Sequence, residues 1–168
     1  SLASVLAREN RLDLARATRL LATLARALAH AHRRNVVHRD VKPSNIMIGR
    51  SESGAEHPWL LDFGIARAIA GESTWHERVI AGTPSYMAPE QALGKRVDGR
   101  ADQFALTCVA IEMLTGKRAF HGTNISEVVA RIVVGTPDGL PEIASLGGPP
   151  LPAVVEPSLA KSRHDRIP

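Results

Sequence analysis

A single cysteine, Cys108, is all that the 168-residue chain holds. It has no internal partner for a disulfide, so the fold does not depend on an oxidising compartment. No stretch approaches the roughly eighteen uninterrupted apolar residues of a membrane helix. No basic-then-apolar leader opens the chain, and neither an internal repeat nor a low-complexity tract interrupts it. Like charges do not cluster either. The 21 Lys and Arg residues outnumber 17 Asp and Glu, for a net charge of +4, but they are spread along the chain. That distribution gives nucleic-acid binding little support. What is present is apolar material: 44% of residues are hydrophobic and 23% charged, which excludes an intrinsically disordered chain. The length suits one domain or part of a larger one. The chain opens on Ser1 rather than Met and closes at Pro168 within what reads as an element, so a piece of a longer protein is expected.

Leu20, Leu21, Leu24, Leu28 and Ala31 recur at helical spacing. They predict a core helix from about Leu14 to Arg33, with Asp13 as N-cap and Arg16, Arg19 and Arg26 toward solvent. Two β-prone runs follow, Val36–His38 and Ile46–Ile48, around a polar loop from His38 to Asn45. Ser51, Ser53, Gly54 and Pro58 read as a turn, and Trp59–Asp62 as a further strand. Ile65 to Gly82 has no sustained period, the pattern of a long irregular loop, functional or mobile. Ala101–Leu114 is apolar on nearly every face, as a buried central helix is, and Gly116 ends it. Ser126–Val134 reads as an amphipathic helix with Val128, Val129 and Ile132 inward. Thr136–Pro152, rich in Gly and Pro, reads as mostly loop, and Ala153–Lys161 as a last helix.

Three motifs stand in order. They are His38-Arg39-Asp40-x-Lys42-x-x-Asn45, Asp62-Phe63-Gly64, and Gly82-Thr83-Pro84-x-Tyr86-x-Ala88-Pro89-Glu90. A lone Asp-Phe-Gly is worthless, but the first motif fixes five positions, on the order of 10⁻⁶ by chance per starting point. Together they resemble the C-terminal lobe of a eukaryotic-type (Hanks-type) Ser/Thr protein kinase of bacterial character, over essentially the whole chain. The resemblance implies a mainly α fold. A helical bundle would surround a buried central helix, with short strands carrying the catalytic and Asp-Phe-Gly loops. It also implies ATP and Mg²⁺ as cofactors, and protein substrates with Ser or Thr acceptors.

The same resemblance implies residue roles. Asp40 matches the catalytic base, Lys42 the cation that meets the γ-phosphate, and Asn45 and Asp62 the two Mg²⁺ ligands, hard oxygen donors as that ion prefers. Thr83 would bridge Asp40 and Lys42 through its hydroxyl. Met47 would pack under the adenine ring, with Val109 and Met113 as support below. His38 and Phe63 match the hydrophobic spine, and Gly64 permits the turn that aims Asp62 inward. Asp102 would accept from backbone N–H groups at His38-Arg39, and Glu90 would pair with Arg166. Arg39, with Arg67 as second cation, suggests regulation by activation-loop phosphorylation at Ser73 or Thr74. Lys42 goes with Ser/Thr rather than Tyr acceptors, and Ile65 with threonine over serine. Glu112 could offer a carboxylate to a basic substrate residue or could serve the fold. His30 and His32 face different sides of a helix and make a poor metal pair, and the remaining histidines beyond His38 read as surface residues.

The departures are a longer Arg50–Pro58 loop, and Ala105 and Thr107 in place of a common serine and glycine. No Gly-rich phosphate loop and no Val-Ala-x-Lys strand occurs in these residues. The expectation is therefore a lobe whose partner is the N-lobe of a parent chain, inactive alone and exposing the apolar surface that the N-lobe covers. A cytoplasmic setting follows from the need for ATP and from cysteine usage, with any membrane anchor of the parent outside this stretch. A truncated or pseudokinase scaffold module is the rival. A small-molecule kinase is disfavoured by the Gly82–Glu90 segment, which resembles a platform for protein substrates.

Overall fold

The computed structural model describes residues 1–63, 84–147 and 150–166, and among these the chain is mainly helical with one small sheet. Helix α1 (Leu2–Glu9) lies where the sequence pattern suggests no element. Eight residues are too few to hold a helix by propensity, so tertiary contacts stabilise it. Ser1 caps it by accepting from the Ser4 N–H, and Leu2 and Leu6 are buried. Helix α2 (Leu14–His32) agrees with the expected one. Asp13 accepts from the Arg16 N–H at 2.9 Å, and Ala17, Leu20, Leu24, Leu28 and Ala31 form the buried face. Arg16 does not simply point at solvent. Its guanidinium donates to both Glu56 oxygens at 2.9 and 2.7 Å and also reaches Glu9, which ties α1 and α2 to the sheet.

That sheet is the antiparallel pair β1 (Ile46–Arg50) and β2 (Glu56–Leu60), with Met47 opposite Trp59 and Ile48 opposite Pro58. Val36–His38 is extended but is not a strand. Its N–H groups find other acceptors: Val36 donates to Ala31 O at 3.0 Å, and His38 to the Asp102 carboxylate at 2.8 Å. The strand expected at Trp59–Asp62 instead starts at Glu56 and stops at Leu60, because Asp62 leaves the extended region with φ +57°. Pro58 therefore sits inside a strand rather than a turn. Both strands of a two-stranded sheet are edges, so its missing N–H is tolerated there.

After α3 (Pro89–Ala92) comes the central helix α4 (Gly99–Thr115). Asp98 caps its start, and Gly116, at φ +74°, ends it in a conformation that side chains resist. Phe104, Cys108, Val109, Ile111 and Met113 are all fully buried, and Phe104 stacks on Phe120 at 5.8 Å. Burial of each such large side chain contributes about 1.5–3 kcal/mol. Burial also pushes the Cys108 thiol well above its ordinary range. Helix α5 (Ile125–Val134) turns Val128 and Ile132 inward as expected, while Val129 is half-buried.

The region Thr136–Pro152 corrects the sequence expectation. It holds α6 (Leu140–Gly147) and the start of α7 (Pro150–Ser158) rather than mostly loop. Helix α7 agrees with the last helix expected at Ala153–Lys161 but begins and ends earlier. Pro141, Pro150 and Pro152 occupy first turns, where a missing N–H is harmless, so they start helices instead of breaking them. Among the described residues no helix is long and apolar enough to cross a membrane.

Lys161, just past α7, donates to Ile132 O at 2.7 Å and lies 4.4 Å from the centre of the Phe120 ring. Burial brings its ammonium down to about 8, with Cys108 opposing the shift and Arg166 adding to it. A base whose folded value lies below its unfolded one binds protons less well when folded, so stability rises with pH between the two values. Wild type is expected to gain melting temperature relative to Lys161→Met as pH climbs from about 8 to 10.5, the interval between those values. Paired thermal scans check this. In these scans both proteins carry Cys108→Ala, because Lys161 and Cys108 act on each other and the thiol's titration would otherwise differ between them.

Candidate active site

The polar loop between α2 and β1 is held from below by one buried carboxylate. Asp102, in the first turn of α4 and 1% exposed, accepts from the His38 N–H at 2.8 Å and the Arg39 N–H at 2.7 Å. Its third partner is His32, whose Nε2 lies 2.7 Å from Oδ2. Gly99 makes that approach possible, since a Cβ there would stand 2.6 Å from the His32 ring. On the other side the Gln91 amide of α3 donates to Arg39 O at 2.8 Å. These bonds keep Arg39 at φ +66°, a left-handed conformation that a non-glycine residue holds only when its surroundings impose it. Asp102→Ala is expected to orphan two backbone donors and lower stability by at least about 1–3 kcal/mol, read by chemical denaturation.

His38 is fully buried and serves packing and backbone bonding. Its Nδ1 accepts from the Asp40 N–H at 3.2 Å, which makes Nε2 the donor to Leu61 O at 2.8 Å. Its ring lies 4.7 Å from that of Phe63. One residue thus links both polar loops. Leu61 in turn donates its N–H to Asn45 O at 2.9 Å, so the residue before Asp62 is clamped from two sides.

Val41 and Pro43, both buried, anchor the loop between these clamps, and Pro43 opens a single 3₁₀ turn, Pro43–Asn45. That turn brings Lys42 and Asn45 back onto Asp40. Lys42 Nζ lies 2.9 Å from Asp40 Oδ2, and Asn45 Nδ2 donates to the same oxygen at 3.0 Å and to Asp40 O at 2.9 Å. The Asp40 carboxylate is part-exposed and fixed in orientation, as a group that must meet a substrate has to be. Holding Asn45 by its Nδ2 leaves the amide oxygen for a cation, and Asp62 is exposed nearby. Among the described residues no three His, Cys, Asp or Glu side chains form a metal cage. One carboxylate, Asp62, and one amide, Asn45, still fit Mg²⁺, which takes few protein ligands and completes its shell with water and substrate phosphates.

Met47 is 41% exposed, on the same sheet face as Trp59, and Leu61 lies two residues further along. Val109 and Met113 are in the core. Glu90 and Arg166 meet as a bidentate pair, both contacts 2.7 Å, with Arg166 closed from solvent. The expectations at Gly64, Ile65, Arg67, Ser73, Thr74, His76 and Thr83 lie outside the described residues.

Residues 1–145 match the family model for the protein kinase domain. The chain belongs to the protein kinase family. Among curated relatives of this kinase chain, the serine/threonine-protein kinase PknF of Mycobacterium tuberculosis is 39% identical over 154 residues, covering 89% of this chain and 31% of PknF. PknB of the same species is 40% identical over 155 residues, covering 90% and 24%. Pkn1 of Myxococcus xanthus is 39% identical over 148 residues, covering 88% and 21%. The chain thus spans less than a third of each of these kinases. Protein kinases generally use ATP and Mg²⁺.

The motifs do not point to His32 or Gln91. Nothing in the sequence pairs His32 with Asp102, 70 residues away. Gln91 offers a faint signal, a glutamine three residues after the N-cap of a helix, where its Oε1 accepts from the Ala88 N–H at 3.0 Å.

Proposed function

We propose that these residues are the C-terminal, catalytic lobe of a Ser/Thr protein kinase that moves the γ-phosphoryl group of ATP to a serine or threonine hydroxyl of a protein. The observation that carries this reading is the Asp40–Lys42–Asn45 cluster on its clamped loop. Asp40 orients the acceptor hydroxyl and takes its proton late, as the new O–P bond forms and the bond to the ADP oxygen breaks. Lys42 supplies positive charge where the transferring group carries negative charge. Asn45 holds the Asp40 carboxylate and, with Asp62, would hold Mg²⁺, which when bound neutralises phosphate charge. Met47, Leu61 and Trp59 offer an apolar surface suited to an adenine ring and to an N-lobe. Arg39 is exposed, as a partner for a phosphorylated loop residue would be, with Arg67, Ser73 and Thr74 completing that reading. Thr83 would join Asp40 to Lys42.

On this reading residues 1–168 alone transfer phosphate negligibly, for want of a Gly-rich loop and a strand lysine over the phosphates. The setting is cytoplasmic, where ATP is supplied. The test gives the full-length protein ATP and peptides differing only in Ser, Thr or Tyr as acceptor, with Mg²⁺ and then with chelator. Label on Ser or Thr that chelation removes supports the reading. Label on Tyr alone, or none, would leave it without its substrate class.

A further inference from the structure

A hollow of about 520 Å³ opens beside the catalytic loop, walled by α1, Lys42, Ser44, Tyr86, Glu112 and Arg118. Lys42 reaches Asp40 at 2.9 Å, so a peptide whose hydroxyl lies at Asp40 has flanking residues within reach of this hollow. Among its described lining residues the one carboxylate is Glu112, near the end of α4 and largely buried. Both Glu112 oxygens face cognate groups. Oε2 accepts from the Tyr86 hydroxyl. Burial first, and the bond to Glu112 second, hold that phenol far above its usual range, so it stays a donor. Oε1 faces Arg118 Nε at 3.9 Å. That separation is loose, and the Arg118 side chain is 49% exposed. With Lys42 on Asp40 and Arg118 on Glu112, the described residues of the hollow offer an incoming cation no net negative charge.

We infer that Arg118 stands in for a basic substrate residue: it neutralises Glu112 from within the chain, so the enzyme chooses its protein substrates without a basic side chain at this subsite. The inference rests on the kinase reading above and names a specificity-determining residue for it. Without Arg118, Glu112 becomes an anionic, partly enclosed site with Tyr86 fixing one oxygen, suited to a guanidinium. Arg118 itself touches neither Asp40 nor Asn45 among the contacts described, so its effect falls on peptide binding rather than on the chemical step.

The test uses the full-length protein, ATP and threonine peptides in which one arginine replaces alanine at each flanking position in turn. Wild type is expected to show no arginine preference at any position. Arg118→Ala is expected to prefer arginine at one position by roughly fivefold in kcat/KM, the upper end for a part-exposed ion pair, with the gain in KM. Arg118→Gln gives the same direction should the alanine variant fold poorly. Adding Glu112→Gln to either removes the preference. A wild type that already prefers arginine at the position Arg118→Ala affects, or single variants with no new preference, would overturn the inference while leaving the kinase reading intact. Transfer to no peptide by wild type would overturn both.

Discussion

Arg166→Ala is expected to lower the stability of the domain by about 3–5 kcal/mol, the range for stripping one partner from a buried ion pair. For a domain of this size that is a fall in melting temperature on the order of 10 °C. The reason is how many groups one guanidinium serves. Arg166 donates to both Glu90 oxygens at 2.7 Å, to Ala160 O at 2.9 Å and to Arg100 O at 2.9 Å, and it lies 4.9 Å from the Phe104 ring centre. Its removal leaves a carboxylate 5% exposed and uncompensated, and two carbonyls short of a donor. Arg166→Lys recovers little, since a single ammonium cannot span a fork of acceptors. Replacing Glu90 and Arg166 together by apolar residues recovers part of the loss, because no charge is then stranded. Equal losses in the single and double variants would show that packing, not the ion pair, sets the cost. The damage also reaches the catalytic loop. Glu90 and Gln91 are neighbours on α3, and Gln91 holds Arg39 O, so loosening one end of that helix frees the other.

Asp40→Asn is expected to lower kcat of the full-length protein by about 10²–10⁴-fold, the span for removing a positioned general base. The change keeps the shape of the side chain. It removes the charge that Lys42 meets at 2.9 Å and, on the proposed reading, the acceptor for the hydroxyl proton. Stability should barely move, since Asp40 is only part-buried and Asp102, not Asp40, carries the loop. KM for ATP should change little. A fall in kcat matched by unfolding would assign Asp40 a structural role instead.

The legible parts of this fold are the long ones. Helices α2 and α4 could be read because each sustains its apolar residues over several turns, α2 on one face and α4 on nearly all, with Asp13 marking the start of α2 and Gly116 the end of α4. The short α1 has too few residues to show a period. Helix α6 and the first turn of α7 were hidden by prolines that sit in first turns, where proline is compatible with a helix. Val36–His38 carries a strand's composition, yet a side chain 64 residues away takes the His38 N–H that a neighbouring strand would have bonded. In the site, Asp40, Lys42 and Asn45 were legible because they share one short motif that resembles the family's, and the structure adds that a single turn brings them together. Residues distant in sequence were not legible from pattern alone. The pairing of Glu90 with Arg166 came only from family resemblance, and that of His32 with Asp102 from nothing in the chain. The Glu112 carboxylate was visible, but its capture by Tyr86 and Arg118 depends on where α4 ends relative to the loop before α3.

The central claim is that the loop carrying Asp40 performs phosphoryl transfer, and the most direct test runs wild type and Asp40→Asn side by side. Both are full-length, matched in melting temperature, and supplied with labelled ATP, Mg²⁺ and a threonine peptide. The account predicts label on threonine with wild type and at least a hundredfold less, at about the low end for a lost general base, with Asp40→Asn. Equal labelling by the two proteins, or none by a folded wild type, would contradict it.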